Sequence, residues 1–183
     1  MIKLLPPRVY NRISAGEVVD KPASIVKELV ENSIDAKARN ITVEIENGGI
    51  DKVKVTDDGI GMEFEDLPYV FLAHATSKIE SEEDLFAIKT LGFRGEALAS
   101  ISAVTNITLL TRHKDSDIGY MMEGTAGLYS TPKQIASPVG TTITASNLFY
   151  NVPARLKFLR KPKVEENEIT NIMQRFSLVN PNI

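Results

Sequence analysis

Residues 41–62 read ITVEIENGGIDKVKVTDDGIGM and contain two runs in which every second residue is apolar. The apolar positions of the two runs are Ile41, Val43, Ile45, Val53 and Val55. A period of two predicts β-strands with one buried face, and the Asn47-Gly48-Gly49 turn between the runs predicts a hairpin. The stretch ends in DDGIGM, so two carboxylates and flexible backbone follow the second strand directly.

Helical patterns lie on both sides of this hairpin. Asp20 is placed to cap a helix over residues 22–36, which has Pro22 in its first turn. The apolar stripe of this helix is Ile25, Val26, Leu29 and Val30. The other predicted elements are short helices over 62–72 and 95–104, strands over 107–111, 119–123 and 141–145, and helices over 153–159 and 164–179. This order predicts one α+β domain over residues 1–183, a two-layer sandwich with helices on one face of a mixed β-sheet.

The composition is that of a globular protein. The chain has 183 residues, of which 43% are hydrophobic and 25% are charged, and its net charge of −3 argues against a generally basic nucleic-acid surface. No apolar run reaches the roughly 18 residues that cross a membrane, so we expect a cytoplasmic protein without membrane contact. Cysteine is absent and the two histidines are isolated, so a metal ion would be held by oxygen.

Asp57 continues the alternation of Val53 and Val55 and therefore lies on the core-facing side of its strand. A carboxylate in that position needs a hydrogen-bond partner. The exocyclic amino group of adenine is such a donor, and Gly59 and Gly61 allow the backbone to approach a flat base. On these six residues alone, however, an ordinary Asp-Asp-Gly turn is the simpler interpretation.

The helix before the hairpin carries polar side chains on one face. Glu28, Asn32 and Asp35 are spaced i, i+4 and i+7, which places them together. Glutamate is a candidate general base for a water molecule, and asparagine offers an oxygen ligand for Mg²⁺. A solvent-exposed polar face is the equally open alternative.

A third stretch, LGFRGEALASI at residues 91–101, predicts phosphate contacts. Gly92 and Gly95 precede a helix whose first backbone N–H groups are free to hold anionic oxygens. Residues 73–95 are mostly irregular and polar, which is typical of a functional loop or lid. The chain lacks a P-loop motif and a dinucleotide fingerprint. Helix acids, a strand-end aspartate and a glycine-bounded helix start together predict a pocket for a nucleoside triphosphate with Mg²⁺.

These residues belong to longer motifs: ISAGEVVDKPASIVKELVENSIDA at 13–36, DDGIGM at 57–62, HATSKI at 74–79, LGFRGEALASI at 91–101, GTTI at 140–143 and LFYNVPARLKFL at 148–159. With them the chain resembles the N-terminal ATPase region of the MutL family of DNA mismatch repair proteins. MutL proteins are GHKL ATPases, as are gyrase, a heat-shock chaperone and histidine kinases. The resemblance covers essentially the whole chain and implies a sandwich of the GHKL (Bergerat) type.

The resemblance implies ATP and Mg²⁺ as cofactors and roles for single residues. Glu28 would activate water, Asn32 would bind Mg²⁺, and Asp57 would read adenine beside Gly59 and Gly61. Thr142 of GTTI would line the adenine side. The lid and phosphate loop would consist of Thr76, Ser77, Lys78, Leu91, Gly92, Phe93, Arg94, Gly95, Glu96, Ala97 and Leu98.

The resemblance also implies how the activity is used. Histidine kinases typically carry asparagine where this chain has Glu28, so the carboxylate favours transfer of the phosphoryl group to water. We expect a Mg²⁺-dependent ATPase in which ATP orders the lid and allows self-association of the full-length protein. In the family this switch connects a MutS-type mismatch recognition protein to a downstream repair nuclease or helicase, on DNA of any sequence, in the bacterial cytoplasm and at the nucleoid. A nucleotide-binding module without turnover is the alternative.

Two further expectations concern the end of the chain. MutL proteins continue into a second subdomain, which supplies a lysine to the γ-phosphate, and into a C-terminal dimerisation region, so we expect a fragment with weak or no hydrolysis. The second concerns the basic residues between positions 155 and 163, of which Arg155, Lys157 and Arg160 are candidate DNA contacts. A solvated basic helix end is the simpler interpretation of that cluster.

Overall fold

A computed structural model describes residues 15, 16, 18–73, 75 and 96–183. The helices are α1 (Pro22–Asp35), α2 (Ala97–Val104), α3 (Pro153–Leu156) and α4 (Pro162–Val179). The strands are β1 (Ile41–Glu46), β2 (Lys52–Asp57), β3 (Asn106–Arg112), β4 (Gly119–Thr125), β5 (Leu128–Tyr129), β6 (Lys133–Ile135) and β7 (Gly140–Ser146). Short 3₁₀ helices cover Asn47–Gly49 and Phe64–Tyr69.

The strands form one sheet in the order β1-β2-β7-β3-β4-β5, with β6 also paired to β4. The predicted hairpin is confirmed: β1 and β2 are antiparallel, and Val43 lies opposite Val55. The predicted α+β class is confirmed as well. Every pairing between the described strands is antiparallel, however, so the mixed sheet expected from the sequence is not seen among them.

The core lies on one face of this sheet. Two rows of buried apolar side chains cross the central strands β2, β7 and β3: Val53, Ala145 and Ile107 in one row, and Val55, Ile143 and Leu109 in the next. The predicted apolar stripe of α1 is buried, and α1 and α2 contact the sheet. Residues of the opposite parity, such as Lys54 and Thr144, stay partly accessible. The helices therefore cover one face, as predicted.

Helix α4 fixes the turn of the β1–β2 hairpin and the start of α1. Ile169 is buried, and a Cβ built on Gly49 of the turn would lie 3.2 Å from its Cδ1. Glu165 is only 1% exposed and accepts hydrogen bonds from the Arg160 guanidinium. Glu168 pairs with Arg160 and with Lys21, the residue before α1. This ion-pair network joins the two helices.

Two local predictions differ from the structure, and two strands were missed. Asp20 does not cap α1: Lys21 is the N-cap residue and makes no side-chain cap, while the Asp20 carboxylate accepts the Ser24 hydroxyl. The helix predicted over 62–72 is a short 3₁₀ helix that contains Pro68, whose ring would clash with the carbonyl four residues earlier in an α-helix. Strands β5 and β6 were not predicted.

Among the described residues, no helix is long and apolar enough to span a bilayer.

Candidate nucleotide-binding site

The core face of the sheet becomes polar where strands β2 and β3 end and β7 begins. Beyond the two apolar rows lies a third row made of Asp57, Thr141 and Thr111, which face one another across β2, β7 and β3. Thr111 and Thr141 are buried, and Asp57 is half-buried. A polar row next to a hydrophobic core is costly unless its groups are hydrogen-bonded. The partners of each group therefore show what the row does.

The Asp57 carboxylate accepts three hydrogen bonds from three different parts of the chain. Its Oδ2 accepts the hydroxyl of Ser33 in α1 at 2.7 Å. Its Oδ1 accepts the backbone N–H groups of Gly59 at 2.9 Å and Thr141 at 3.2 Å. An ionised carboxylate offers roughly four acceptor positions, so with the donors of the described residues counted, one position on Oδ2 is left for the donor of a ligand.

Thr111 connects the loop after β2 to the sheet. Its hydroxyl accepts the N–H of Met62 at 3.0 Å and contacts the Thr141 hydroxyl at 3.1 Å. It also donates to the Gly140 carbonyl at 3.2 Å. The loop over residues 58–62 is therefore held against β3 and β7 by a continuous set of hydrogen bonds.

Two glycines allow the backbone to pack this closely. Gly61 has a φ of +72°, and a Cβ on it would lie 2.0 Å from the Arg112 carbonyl oxygen. Gly140 has a φ of +113°, and a Cβ there would lie 2.1 Å from the carbonyl oxygen of Asp57. Both the left-handed conformation and the close approach exclude a side chain at these two positions.

Asp58, the second acid of the motif, points away from this row. Its Oδ1 accepts the backbone N–H groups of Arg39 at 2.7 Å and Asn40 at 2.8 Å, and its Oδ2 accepts the Asn40 side-chain amide at 2.7 Å. The Asn40 side chain and then these backbone donors lower the pKa of Asp58 to about 2. Asp58 thus holds the loop between α1 and β1, whereas Asp57 faces the site.

Helix α1 places its predicted residues beside the buried stripe. Glu28 and Asn32 are half-buried at the flank of that stripe, and the Glu28 side chain is 24% exposed. The Lys27 ammonium lies 3.4 Å from Glu28 and 3.0 Å from Glu31. Because Ser33 follows Asn32 directly and binds Asp57, the structure brings this end of α1 against the end of β2.

The oxygen atoms of Glu28 and Asn32 on α1 can hold a magnesium ion only if a bound nucleotide and water supply further oxygen ligands. No group of three or more His, Asp or Glu side chains within the described residues could hold a metal. Mg²⁺ commonly binds through one or two protein oxygens together with waters and substrate phosphates. The half-buried Asn32 side chain, next to Glu28 on the same flank, fits that kind of site.

The structure corrects one predicted residue. Thr142 lies on the opposite face of the sheet from Asp57, where its hydroxyl bonds Thr56 at 3.2 Å. Thr141 is the residue that faces Asp57. Successive side chains in a strand point to opposite faces, so an error of one position moves the side chain away from the site.

The predicted phosphate-contacting residues are described only in part. Thr76, Ser77, Lys78, Leu91, Gly92, Phe93, Arg94 and Gly95 lie outside the described residues. Glu96 is the N-cap residue of α2, and Ala97 and Leu98 form its first turn. Helix α2 contacts α1, the helix that carries Asn32.

The three candidate DNA contacts differ in their surroundings. The Arg160 guanidinium is engaged by Glu165 and Glu168. The Arg155 guanidinium lies against Gly16, where a Cβ would be 1.4 Å from its Nη2, and 5.8 Å from the ring centre of Phe149. Lys157 is exposed. Two of the three predicted contacts thus have structural partners.

Sequence reasoning missed Ser33 and Thr111. Ser33 is four residues after Leu29 on the buried stripe, so a hydroxyl at an otherwise apolar position was a readable signal. Thr111 was recognised only as the end of a strand.

A separate surface cleft of about 280 Å³ lies between residues 62–65 and 113–120, and its lining includes Met62 but none of Glu28, Asn32 and Asp57.

Residues 20–128, which include α1, the hairpin and the polar row except Thr141, match the family of histidine kinase-, DNA gyrase B- and HSP90-like ATPases. The chain belongs to this ATPase family. The GHKL fold class predicted from the motifs is thereby confirmed.

Relatives and solved structures agree with that assignment. DNA mismatch repair proteins MutL from Streptococcus pyogenes serotype M5 and Streptococcus uberis are 50% and 49% identical over 179 residues. Each match covers 98% of this chain and 27% of the relative, so this GHKL ATPase chain spans about a quarter of their length. The ATPase domain of Aquifex aeolicus MutL complexed with ADP matches with a TM-score of 0.75 and 32% identity over 91% of this chain and 58% of that one. The N-terminal domain of a DNA repair protein matches with a TM-score of 0.79 and 28% identity over 94% of this chain and 50% of that one. The predicted resemblance to MutL is confirmed.

Proposed function

We propose that this chain binds ATP at the Asp57 edge of the sheet and hydrolyses it. The observation that carries the proposal is the Asp57 carboxylate, to which the described part of the chain contributes three donors, leaving one acceptor position on Oδ2. The amino group of adenine is a donor of the kind that this position accepts. Asp57 would therefore select adenine, and the complex of a related MutL ATPase domain with ADP supports this choice of ligand.

Glu28 and Asn32 on α1 would act at the other end of the nucleotide. In the proposed reaction a water molecule attacks the γ-phosphorus, its proton passes to the Glu28 carboxylate, and ADP leaves. Mg²⁺ bound with Asn32 would neutralise phosphate charge.

The biological use of ATP is also a proposal. We infer from the similarity to MutL proteins that binding and hydrolysis act as a conformational switch in DNA mismatch repair. The partners would be a MutS-type mismatch recognition protein, a downstream nuclease or helicase, DNA, and a second copy of the protein. The similarity to MutL relatives supports this assignment. Lys157 and Arg160 are exposed among the predicted DNA contacts, although Glu165 and Glu168 pair with the Arg160 guanidinium.

Glu31 provides a matched control for the catalytic proposal, because it lies on the same helix and pairs with the same lysine as Glu28. We expect Glu28→Ala to retain ATP binding and to lower the hydrolysis rate by about 100-fold or more, the usual range for loss of a general base. Glu31→Ala should hydrolyse ATP within about threefold of the wild-type rate. Radiolabelled ATP and long incubations make slow turnover measurable.

Two outcomes separate the alternatives. If the wild-type chain binds ATP with Mg²⁺ but shows no turnover above that of Glu28→Ala, this chain by itself acts as a nucleotide-binding module and the proposal that it hydrolyses ATP alone is wrong. If the wild-type chain binds no ATP, the proposed site itself is wrong.

A further inference from the structure

Tyr129 on the short strand β5 makes two specific contacts with segments that are distant in sequence. Its ring stacks on the ring of Phe71, with centroids 4.7 Å apart and planes inclined by 15°. Its hydroxyl lies 2.7 Å from the hydroxyl of Ser102 in α2. One side chain thus joins α2 to the segment that follows the 3₁₀ helix.

The direction of the hydroxyl contact follows from the partners of Ser102. The Ser102 hydroxyl donates its single proton to the Ala99 carbonyl at 2.9 Å. The Tyr129 hydroxyl must therefore be the donor, and Ser102 Oγ the acceptor. Ser102 is fully buried, and burial raises the pKa of Tyr129 although the bond to Ser102 opposes this effect. Tyr129 consequently keeps its proton and its donor function at neutral pH.

The ring occupies a slot that the sequence leaves open. Gly124 on β4 lies opposite Tyr129, and a Cβ on this glycine would come within 2.5 Å of the tyrosine ring. Because no side chain stands there, the ring lies against β4 and reaches both Phe71 and Ser102. The position of Tyr129 is therefore built by the sheet and is not a chance surface contact.

We propose that Tyr129 is a positioning residue that holds α2 in place so that the beginning of this helix can contact the phosphates of a bound nucleotide. The inference rests on the proposed function. Ser102 lies on the helix Ala97–Val104, and phosphate contacts were predicted at the start of this helix. Asp57 lies on β2 and makes no contact with Tyr129, so the adenine end of the site is held independently.

Because the phosphate end and the adenine end of the site are held by different residues, the binding of ATP and of adenosine can be compared. Tyr129→Phe removes only the hydroxyl and keeps the ring stack and the Gly124 slot. Since one hydrogen bond contributes on the order of 1 kcal/mol, we expect the Kd for ATP to rise about five- to tenfold. The Kd for adenosine, which has no phosphates, should stay within about twofold of the wild-type value. Calorimetry for ATP and NMR titration for adenosine provide the two measurements on the full chain.

Two further variants test the pair. Ser102→Ala removes the acceptor and should reproduce the Tyr129→Phe effect, and the double variant should be no weaker than either single one. Tyr120→Phe is the matched control, because Tyr120 also packs on a phenylalanine, with its centroid 4.9 Å from that of Phe64, but faces the 280 Å³ cleft. This control should leave both dissociation constants unchanged.

Three results would overturn the inference. If Tyr129→Phe binds ATP as tightly as the wild-type chain, the hydroxyl positions nothing. If ATP and adenosine weaken equally and the melting temperature falls, Tyr129 serves stability alone. If the wild-type chain binds adenosine but ATP no more tightly, phosphates make no contact, and the proposed function fails together with this inference.

Discussion

Asp57 and Asp58 are adjacent acids with unrelated tasks, and the strand geometry explains the division. Asp57 ends β2 with its side chain on the core face, where Ser33, Gly59 and Thr141 bind it. Asp58 binds Asn40 in the loop before β1. The sequence predicted the first task from alternation, but the second depends on a contact across 18 residues that no local pattern contains.

The Asp58 contact predicts a pH dependence. The pKa of Asp58 falls from 3.8 to about 2 on folding, so its contribution to stability is complete above pH 3.8 and disappears as the pH falls towards 2. Asp58→Ala should therefore melt below the wild-type chain at pH 6, and the difference should shrink steadily between pH 4 and about pH 2.

The control for this measurement is Asp117→Ala, which removes another exposed acid. Its melting temperature should follow that of the wild-type chain at every pH. A constant gap between Asp58→Ala and the wild-type chain from pH 6 to pH 2 would contradict the assigned role of the Asp58 charge.

Gly61 and Gly127 have similar φ angles but different surroundings, so alanine substitutions at the two positions can be compared. Both have positive φ, +72° and +79°, but a Cβ at Gly61 would overlap the Arg112 backbone, whereas nothing lies within 4 Å of one at Gly127. Gly127→Ala should cost about 1–2 kcal/mol of unfolding free energy, the price of the left-handed conformation alone. Gly61→Ala should cost clearly more, because β3 or the loop must also move. Equal losses in urea unfolding would show that the predicted close packing at Gly61 is absent.

At the scale of elements, the register of β7 decides which threonine faces the site. Thr141→Val removes a buried hydroxyl from the polar row and should raise the Kd for ATP about three- to tenfold. Thr142→Val removes a hydroxyl on the opposite face and should change that Kd by less than about twofold. Calorimetric titration of both variants measures this, and a larger effect at Thr142 would mean that the register or the location of the site is wrong.

The elements themselves were predictable where they are long. Helix α1, the two strands of the β1–β2 hairpin and strands β3, β4 and β7 each span six or more residues. Strand β5 has only two residues and β6 only three, too few for a period to be read. The helix predicted over 62–72 is shorter in the structure, a 3₁₀ helix over Phe64–Tyr69 that contains Pro68.

At the scale of the whole molecule, the candidate site forms only when distant segments meet. Ser33 and Thr141 approach Asp57 across 24 and 84 residues of sequence. The residue types of a nucleotide pocket could therefore be predicted from the sequence, and the resemblance to the family assigned a role to each of them. Their partners could not be predicted, since Ser33, Thr111 and the Thr141–Thr142 distinction depend on strand pairing and helix docking.

Titration of ATP with Mg²⁺ into the wild-type chain, Asp57→Asn and Asp58→Asn tests the central claim most directly. In Asp57→Asn the remaining oxygen can keep the N–H groups of Gly59 and Thr141, while the new amide nitrogen can donate to the Ser33 hydroxyl, so the fold should persist. That nitrogen no longer offers an acceptor to adenine. We predict a rise of about tenfold or more in the Kd for ATP for Asp57→Asn, and a change below about threefold for Asp58→Asn. ATP binding by Asp57→Asn as tight as that of the wild-type chain would contradict the account.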